Sequence, residues 1–122
     1  ALSSAASDVY KRQDQLVLCE RGIRTFEPKT RNTLDVTAIP MMHELSHLPI
    51  IMDPSHAAGM SRMVRPLSLA SVGGGADGLM IEVHNDPSKA LCDGPQALRP
   101  DQFTSLMKEI IALRQALVEC TK

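Results

Sequence analysis

Three short apolar runs constrain this chain more than any other feature, because each is followed by a polar stretch and then by apolar residues at helical spacing. Leu16-Val17-Leu18-Cys19 opens the first unit, Pro49-Ile50-Ile51-Met52 the second, and Leu79-Met80-Ile81-Glu82-Val83-His84 the third. Runs of this length suit strands buried on both faces. After the first, Leu34, Ala38, Met41, Met42 and Leu45 predict a helix, with Asp35 as its cap and Pro40 in its first turn or at a kink. After the second, Asp53-Pro54-Ser55-His56 reads as a loop, and a helix is expected over 63–72 with Pro66 early in it. Gly73-Gly74-Gly75 ends that helix, since glycine accepts the left-handed backbone of a helix terminus. The last helix is the clearest. Pro100 suits its first position and Asp101 its positive end. Phe103, Leu106, Met107, Ile110, Ile111, Leu117 and Val118 form one apolar stripe.

Strand then helix, three times over, implies an α/β fold with a parallel sheet and helical crossovers. Ligands of such sheets gather beyond the carboxyl ends of the strands. The chain has 122 residues, whereas a complete (β/α)8 barrel takes roughly 200 or more. A barrel reading therefore makes this chain a piece of one. Residues 1–13 lack useful periodicity and read as a non-native or disordered leader, which leaves 14–122 as the structured portion.

Polar residues concentrate at the expected strand ends: Glu20 and Arg21, then Asp53 and His56, then Glu82 and His84. Alternation along the third run places Met80, Glu82 and His84 on one face and the aliphatic Leu79, Ile81 and Val83 on the other. The aliphatic face suits helix packing, so Glu82 points to the sheet's opposite face, where a carboxylate needs a partner or a metal. Taken alone, Glu82 also reads as an exposed strand-end residue, His56 as a solvated loop histidine, and Asp93 as part of a turn in Cys92-Asp93-Gly94-Pro95. Together they set one imidazole and two carboxylates at one end of one sheet, a donor set for Mn²⁺, Fe²⁺, Co²⁺ or Zn²⁺. Arg21-Gly22 joins an arginine able to grip phosphate or carboxylate to a residue that lets the backbone turn sharply. Cys19 is expected in the core, the methionines as core filler, and His43 and His47 in solvent.

Composition excludes several classes. The formal net charge is −1 and no basic run appears, which argues against nucleic acid. One Tyr and two Phe leave no stacking platform. No apolar run approaches the roughly 20 residues of a membrane span. The three cysteines fit no disulfide or zinc framework and point to a reduced, cytoplasmic compartment.

The residues assembled so far are similar to a known family. Val17-Leu18-Cys19-Glu20-Arg21-Gly22-Ile23-Arg24-Thr25-Phe26-Glu27 resembles a block of the type I DAHP (3-deoxy-7-phosphoheptulonate) synthases, in the β-subgroup close to KDO-8-phosphate synthase. Thr30-Arg31-Asn32-Thr33-Leu34-Asp35 continues the resemblance. So do Asp53-Pro54-Ser55-His56-Ala57-Ala58-Gly59, Ala76-Asp77-Gly78-Leu79-Met80-Ile81-Glu82-Val83-His84 and Lys89-Ala90-Leu91-Cys92-Asp93-Gly94-Pro95-Gln96. The resemblance implies a TIM barrel of which this chain is the C-terminal part, about strands six to eight. It implies condensation of phosphoenolpyruvate with erythrose 4-phosphate, the entry to aromatic amino acids through the shikimate pathway. It implies a divalent ion, Mn²⁺ first, on His56, Glu82 and Asp93, with phosphoenolpyruvate on Arg21 and support from Arg31 and Asn32. A homo-oligomer, a tetramer, is implied for the whole enzyme. The family's fourth ligand, a cysteine, belongs to an early strand, and neither Cys19 nor Cys92 stands at that position. The Lys-Pro-Arg-Thr-Ser segment for erythrose 4-phosphate is also absent. The isolated chain is therefore expected to be inactive. KDO-8-phosphate synthase, which takes arabinose 5-phosphate, is the alternative within the same chemistry.

Overall fold

The structure, a computed structural model, describes residues 15–120. The expected leader, residues 1–13, lies outside them. The three strands form one parallel sheet in sequence order: β1 (Leu18–Glu20), β2 (Ile50–Met52) and β3 (Gly78–Leu79). Leu18 pairs with Ile50 and Glu20 with Met52, while Met52 pairs in turn with Leu79. The crossovers are α1 (Ala38–Leu45) between β1 and β2, then α2 (Pro54–Ala58) and α3 (Ser61–Gly73) between β2 and β3. The long α4 (Pro100–Cys120) follows two short 3-10 turns at Pro87–Lys89 and Gly94–Gln96.

Register gives the sheet two unlike faces. Ile50 and Met52 face α1 and form a buried cluster with Ile39, joined by half-buried Leu18, Leu34 and Leu79. A second cluster, Val64, Leu98 and Leu106, welds α3 to α4. On the other face Cys19 and Met80 are exposed, with no helix over them among the described residues. The expectation of a core Cys19 is thus corrected: alternation from Leu18 turns it to the uncovered face. Val17, at 54% exposure, likewise departs from a strand buried on both sides.

The helices differ from expectation at their ends and in their stripes. Asp35 does not cap α1; Thr37 holds the N-cap position, and Asp35 Oδ1 accepts its amide at 3.0 Å in a turn just before the helix. Pro40 sits in the first turn, where no amide is required. The buried residue of α1 is Ile39, while Met41 and Leu45 are exposed. The stretch Asp53–His56 is a capped short helix rather than a loop. Asp53 Oδ1 accepts the His56 amide at 3.0 Å, and Pro54 takes the first position. Gly75 supplies the left-handed backbone after α3, with φ +90°. The third strand ends at Leu79 instead of His84. Beyond it the chain stays extended, but its ladder passes to residue 98: Leu98 N donates to Glu82 O and His84 N to Leu98 O, both at 2.9 Å.

Only Leu106 of the α4 stripe is fully buried; Ile111 and Val118 are half exposed. Between α4 and β3 runs an apolar groove of about 680 Å³, lined by Val72, Leu79, Ile81, Phe103 and Ile110 among others. It lies along the edge of β3, with Asp77 and Arg114 also in its lining.

Candidate metal centre

The polar residues meet where the strands end. β1 delivers Arg21 through a turn that only glycine can make. Gly22 has φ +95°, and a Cβ there would stand 2.7 Å from Asn32 Cβ and 3.0 Å from Ala57. Glu20 staples the turn, its Oε1 accepting the Gly22 amide at 2.6 Å and its Oε2 the Asp35 amide at 3.3 Å. Burial pushes the Glu20 carboxyl above its usual range, and the Asp35 and Asp53 carboxylates add to the effect. The loop that follows is closed by a bridge between Ile23 and Thr33. It docks on α2 through Asn32 N to Ala57 O at 2.8 Å.

β2 delivers Asp53 and His56. Asp53 is fully buried. Its Oδ2 accepts Arg21 Nε at 2.9 Å and lies 2.8 Å from His56 Nδ1. That second contact is close but off the line of the N–H, so the buried ring nitrogen has no well-aligned hydrogen bond. The other ring nitrogen, Nε2, faces Glu82 Oε2 at 3.6 Å and Asp93 Oδ2 at 3.9 Å.

Glu82 arrives on the extended segment after β3. Its amide donates to Ser55 Oγ at 3.0 Å, and its Oε2 accepts Gln96 Nε2 at 2.9 Å. Asp93 is the one described non-glycine residue with positive φ, +56°. A Cβ on Gly94 would meet Pro87 O at 2.3 Å, so the turn that presents Asp93 has no room for a larger residue. Arg31 reaches Asp93 Oδ1 at 3.9 Å.

His56, Glu82 and Asp93 each offer a ligand atom within 4.8 Å of the others, all half-buried. One imidazole nitrogen and two carboxylate oxygens so placed fit three positions around a divalent cation. The three sequence candidates are therefore brought together, with Arg21 and Arg31 beside them. Asn32 contributes packing against Gly22. His43 does not join the site; its Nε2 pairs with Asp77 Oδ2 at 2.9 Å, beside the start of β2. Spacing alone gives no role to Ser55 or Gln96, and marks Asp53 only as polar. The Asp-Pro pair at a strand end, a capping signal, was the available clue for Asp53.

Parallel strands joined by helices, with one imidazole and two carboxylates gathered beyond their carboxyl ends, define an α/β protein with a candidate metal centre. The sequence matches the DAHP synthetase I family over residues 1–119, and the chain belongs to that family. It is similar to the phospho-2-dehydro-3-deoxyheptonate aldolase of Thermotoga maritima, 52% identical over 103 residues, covering 84% of this chain and 30% of that protein. It is similar at 38% identity over 97 residues to the 2-dehydro-3-deoxyphosphooctonate aldolase of Desulfosudis oleivorans, covering 70% of this chain and 35% of that one. Among solved structures, a truncated 3-deoxy-D-arabino-heptulosonate 7-phosphate synthase from Thermotoga maritima superposes with a TM-score of 0.81 at 52% identity, covering 83% of this chain and 38% of that one. The chain thus spans about a third of the length of these relatives.

Proposed function

We propose that residues 14–122 are the C-terminal part, about strands six to eight, of a (β/α)8 barrel synthase that condenses phosphoenolpyruvate with erythrose 4-phosphate and water, giving DAHP and phosphate. The observation that carries the reading is the convergence of His56 Nε2, Glu82 and Asp93 within 4.8 Å. The barrel is supported by the parallel order, by the helix-free face bearing Cys19 and Met80, and by the apolar groove along the β3 edge. An uncovered apolar edge needs a neighbour. The heptonate product is favoured by 52% identity to a relative named for it, against 38% to the octonate relative.

His56, Glu82 and Asp93 would hold a divalent ion, Mn²⁺ before Fe²⁺, Co²⁺ or Zn²⁺, whose chemistry is Lewis-acid polarisation of the aldehyde. Arg21 binds phosphoenolpyruvate through its guanidinium, with Nε tied to Asp53 and the exposed end left for the anion. Arg31 steadies Asp93 and adds positive charge at the same mouth. The methylene carbon of phosphoenolpyruvate forms the new bond to the aldehyde carbon, water adds at C2, and phosphate leaves. The described metal-binding cluster contains no cysteine. A fourth ligand from another segment is therefore part of this reading, and the 122-residue chain alone is expected to release no phosphate. The free cysteines suit a cytoplasmic enzyme. No described helix is long and apolar enough to cross a membrane.

The complete protein, stripped with chelator and reloaded with Mn²⁺, is expected to release phosphate from phosphoenolpyruvate with erythrose 4-phosphate and to favour it over arabinose 5-phosphate. Glu82→Gln is expected to abolish the metal-dependent turnover. Full activity in Glu82→Gln would overturn the metal assignment, and preference for arabinose 5-phosphate would establish the octulosonate alternative.

A further inference from the structure

We infer that Asp53 is the positioning residue of this centre: one buried carboxylate oxygen aligns both the metal-facing imidazole of His56 and the anion-binding guanidinium of Arg21. The inference rests on the metal reading above and adds a residue to it.

The geometry is specific. Asp53 has no exposed surface, and burying a carboxylate is costly unless it is paired. Its two oxygens divide the work. Oδ1 accepts the His56 amide at 3.0 Å and so caps α2. Oδ2 faces Arg21 Nε at 2.9 Å and His56 Nδ1 at 2.8 Å. A helix cap alone needs only the first oxygen. The second lies between a phosphate-type arginine and the back of a histidine whose front nitrogen looks at Glu82 and Asp93. A carboxylate behind an imidazole keeps the proton on Nδ1 and leaves the Nε2 lone pair forward, the tautomer a metal requires. Because Oδ2 is shared, the arginine and the histidine cannot be oriented independently.

Asp53→Asn separates this role from capping. Asparagine caps a helix about as well as aspartate, so Oδ1 keeps the His56 amide. Its NH2 group then faces Arg21 Nε, which already donates there, and stands close to His56 Nδ1. The imidazole can accept that NH2 only by moving its own proton to Nε2, which removes the lone pair aimed at Glu82 and Asp93. The arginine loses its acceptor.

In the complete protein, Asp53→Asn is expected to weaken Mn²⁺ binding about 10- to 100-fold by chelator competition. Visible absorption bands of the Co²⁺ form should shift, and phosphoenolpyruvate binding to the metal-free protein should weaken in calorimetry. A merely structural role would lower the metal-free melting temperature and leave the Co²⁺ bands of the folded protein unmoved. Wild-type Mn²⁺ affinity with unmoved bands in Asp53→Asn, while Glu82→Gln loses the metal, overturns this inference and spares the metal reading. Retention of metal by Glu82→Gln, or no Mn²⁺ binding by the wild type, overturns both. If Asp53→Asn does not fold, Arg21→Ala serves, at a side chain 54% exposed. Freed of the guanidinium, Oδ2 turns wholly to Nδ1, and the Co²⁺ bands should move although Arg21 is no ligand. Unmoved bands there overturn the inference.

Discussion

Three glycines separate the two costs that fix the Arg21 turn. Gly22 has φ +95°, and an added Cβ would sit 2.7 Å from Asn32 Cβ. Gly75 has φ +90° with nothing within 4 Å of its Cβ position, and Gly73 has neither constraint. A left-handed backbone costs an L-residue about 1–2 kcal/mol. Carbon atoms pack at roughly 3.5–4.0 Å, so the Gly22→Ala methyl must open its surroundings by nearly an ångström. Overpacking of this kind costs about 1–3 kcal/mol. The three alanine variants should therefore rank in order. Gly73→Ala, in a helix, should be neutral or gain up to about 1 kcal/mol. Gly75→Ala should lose about 1–2 kcal/mol, and Gly22→Ala about 2–5 kcal/mol. Urea midpoints of the complete protein at unchanged slope measure the series. Gly22→Ala alone should also raise KM for phosphoenolpyruvate, because Arg21, the arginine proposed to bind it, is the residue before it. Equal midpoints for Gly22→Ala and Gly75→Ala would refute the packing argument, and equal midpoints for Gly75→Ala and Gly73→Ala the backbone argument.

Two further perturbations test the scaffold. Leu106→Ala empties the cluster shared with Val64 and Leu98 and should cost about 2–5 kcal/mol in the same denaturation assay, with no direct effect on metal affinity. The Asp77 carboxyl is held below its usual range by hydrogen bonds from His43 and from the Ile50 amide. A depressed carboxylate pKa lends stability that is present above about pH 4, the unfolded value, and is lost as pH falls through the folded value. The melting-temperature gap between wild type and Asp77→Asn should hold at neutral pH and close in acid; a gap independent of pH would refute the pairing.

What the sequence made legible was whatever its own periodicity encodes. The three apolar runs at Leu18, Ile50 and Leu79 became parallel strands in chain order because alternation and helical spacing are local properties. His56, Glu82 and Asp93 converged because strand ends in such a sheet share one rim. Contacts between distant residues were not legible. Asp53 meets Arg21 across 32 positions and Gln96 meets Glu82 across 14, and neither pairing leaves a trace in spacing. The third strand fell short of His84 for a related reason: a ladder needs neighbours, and past Leu79 the chain pairs with Leu98 instead. The same dependence on neighbours explains Cys19. Its apolar run reads as buried on both faces, yet among the described residues only the Leu18 face is covered, by α1. An apolar pattern records the surroundings for which a strand was selected, so residues that read as buried but stand exposed mark where covering structure belongs. Val17, Cys19 and Met80 mark the uncovered sheet face and its edge, and the groove between β3 and α4 marks the other place. In the proposed barrel the first becomes the interior, and the second receives the strand and helix that close the ring.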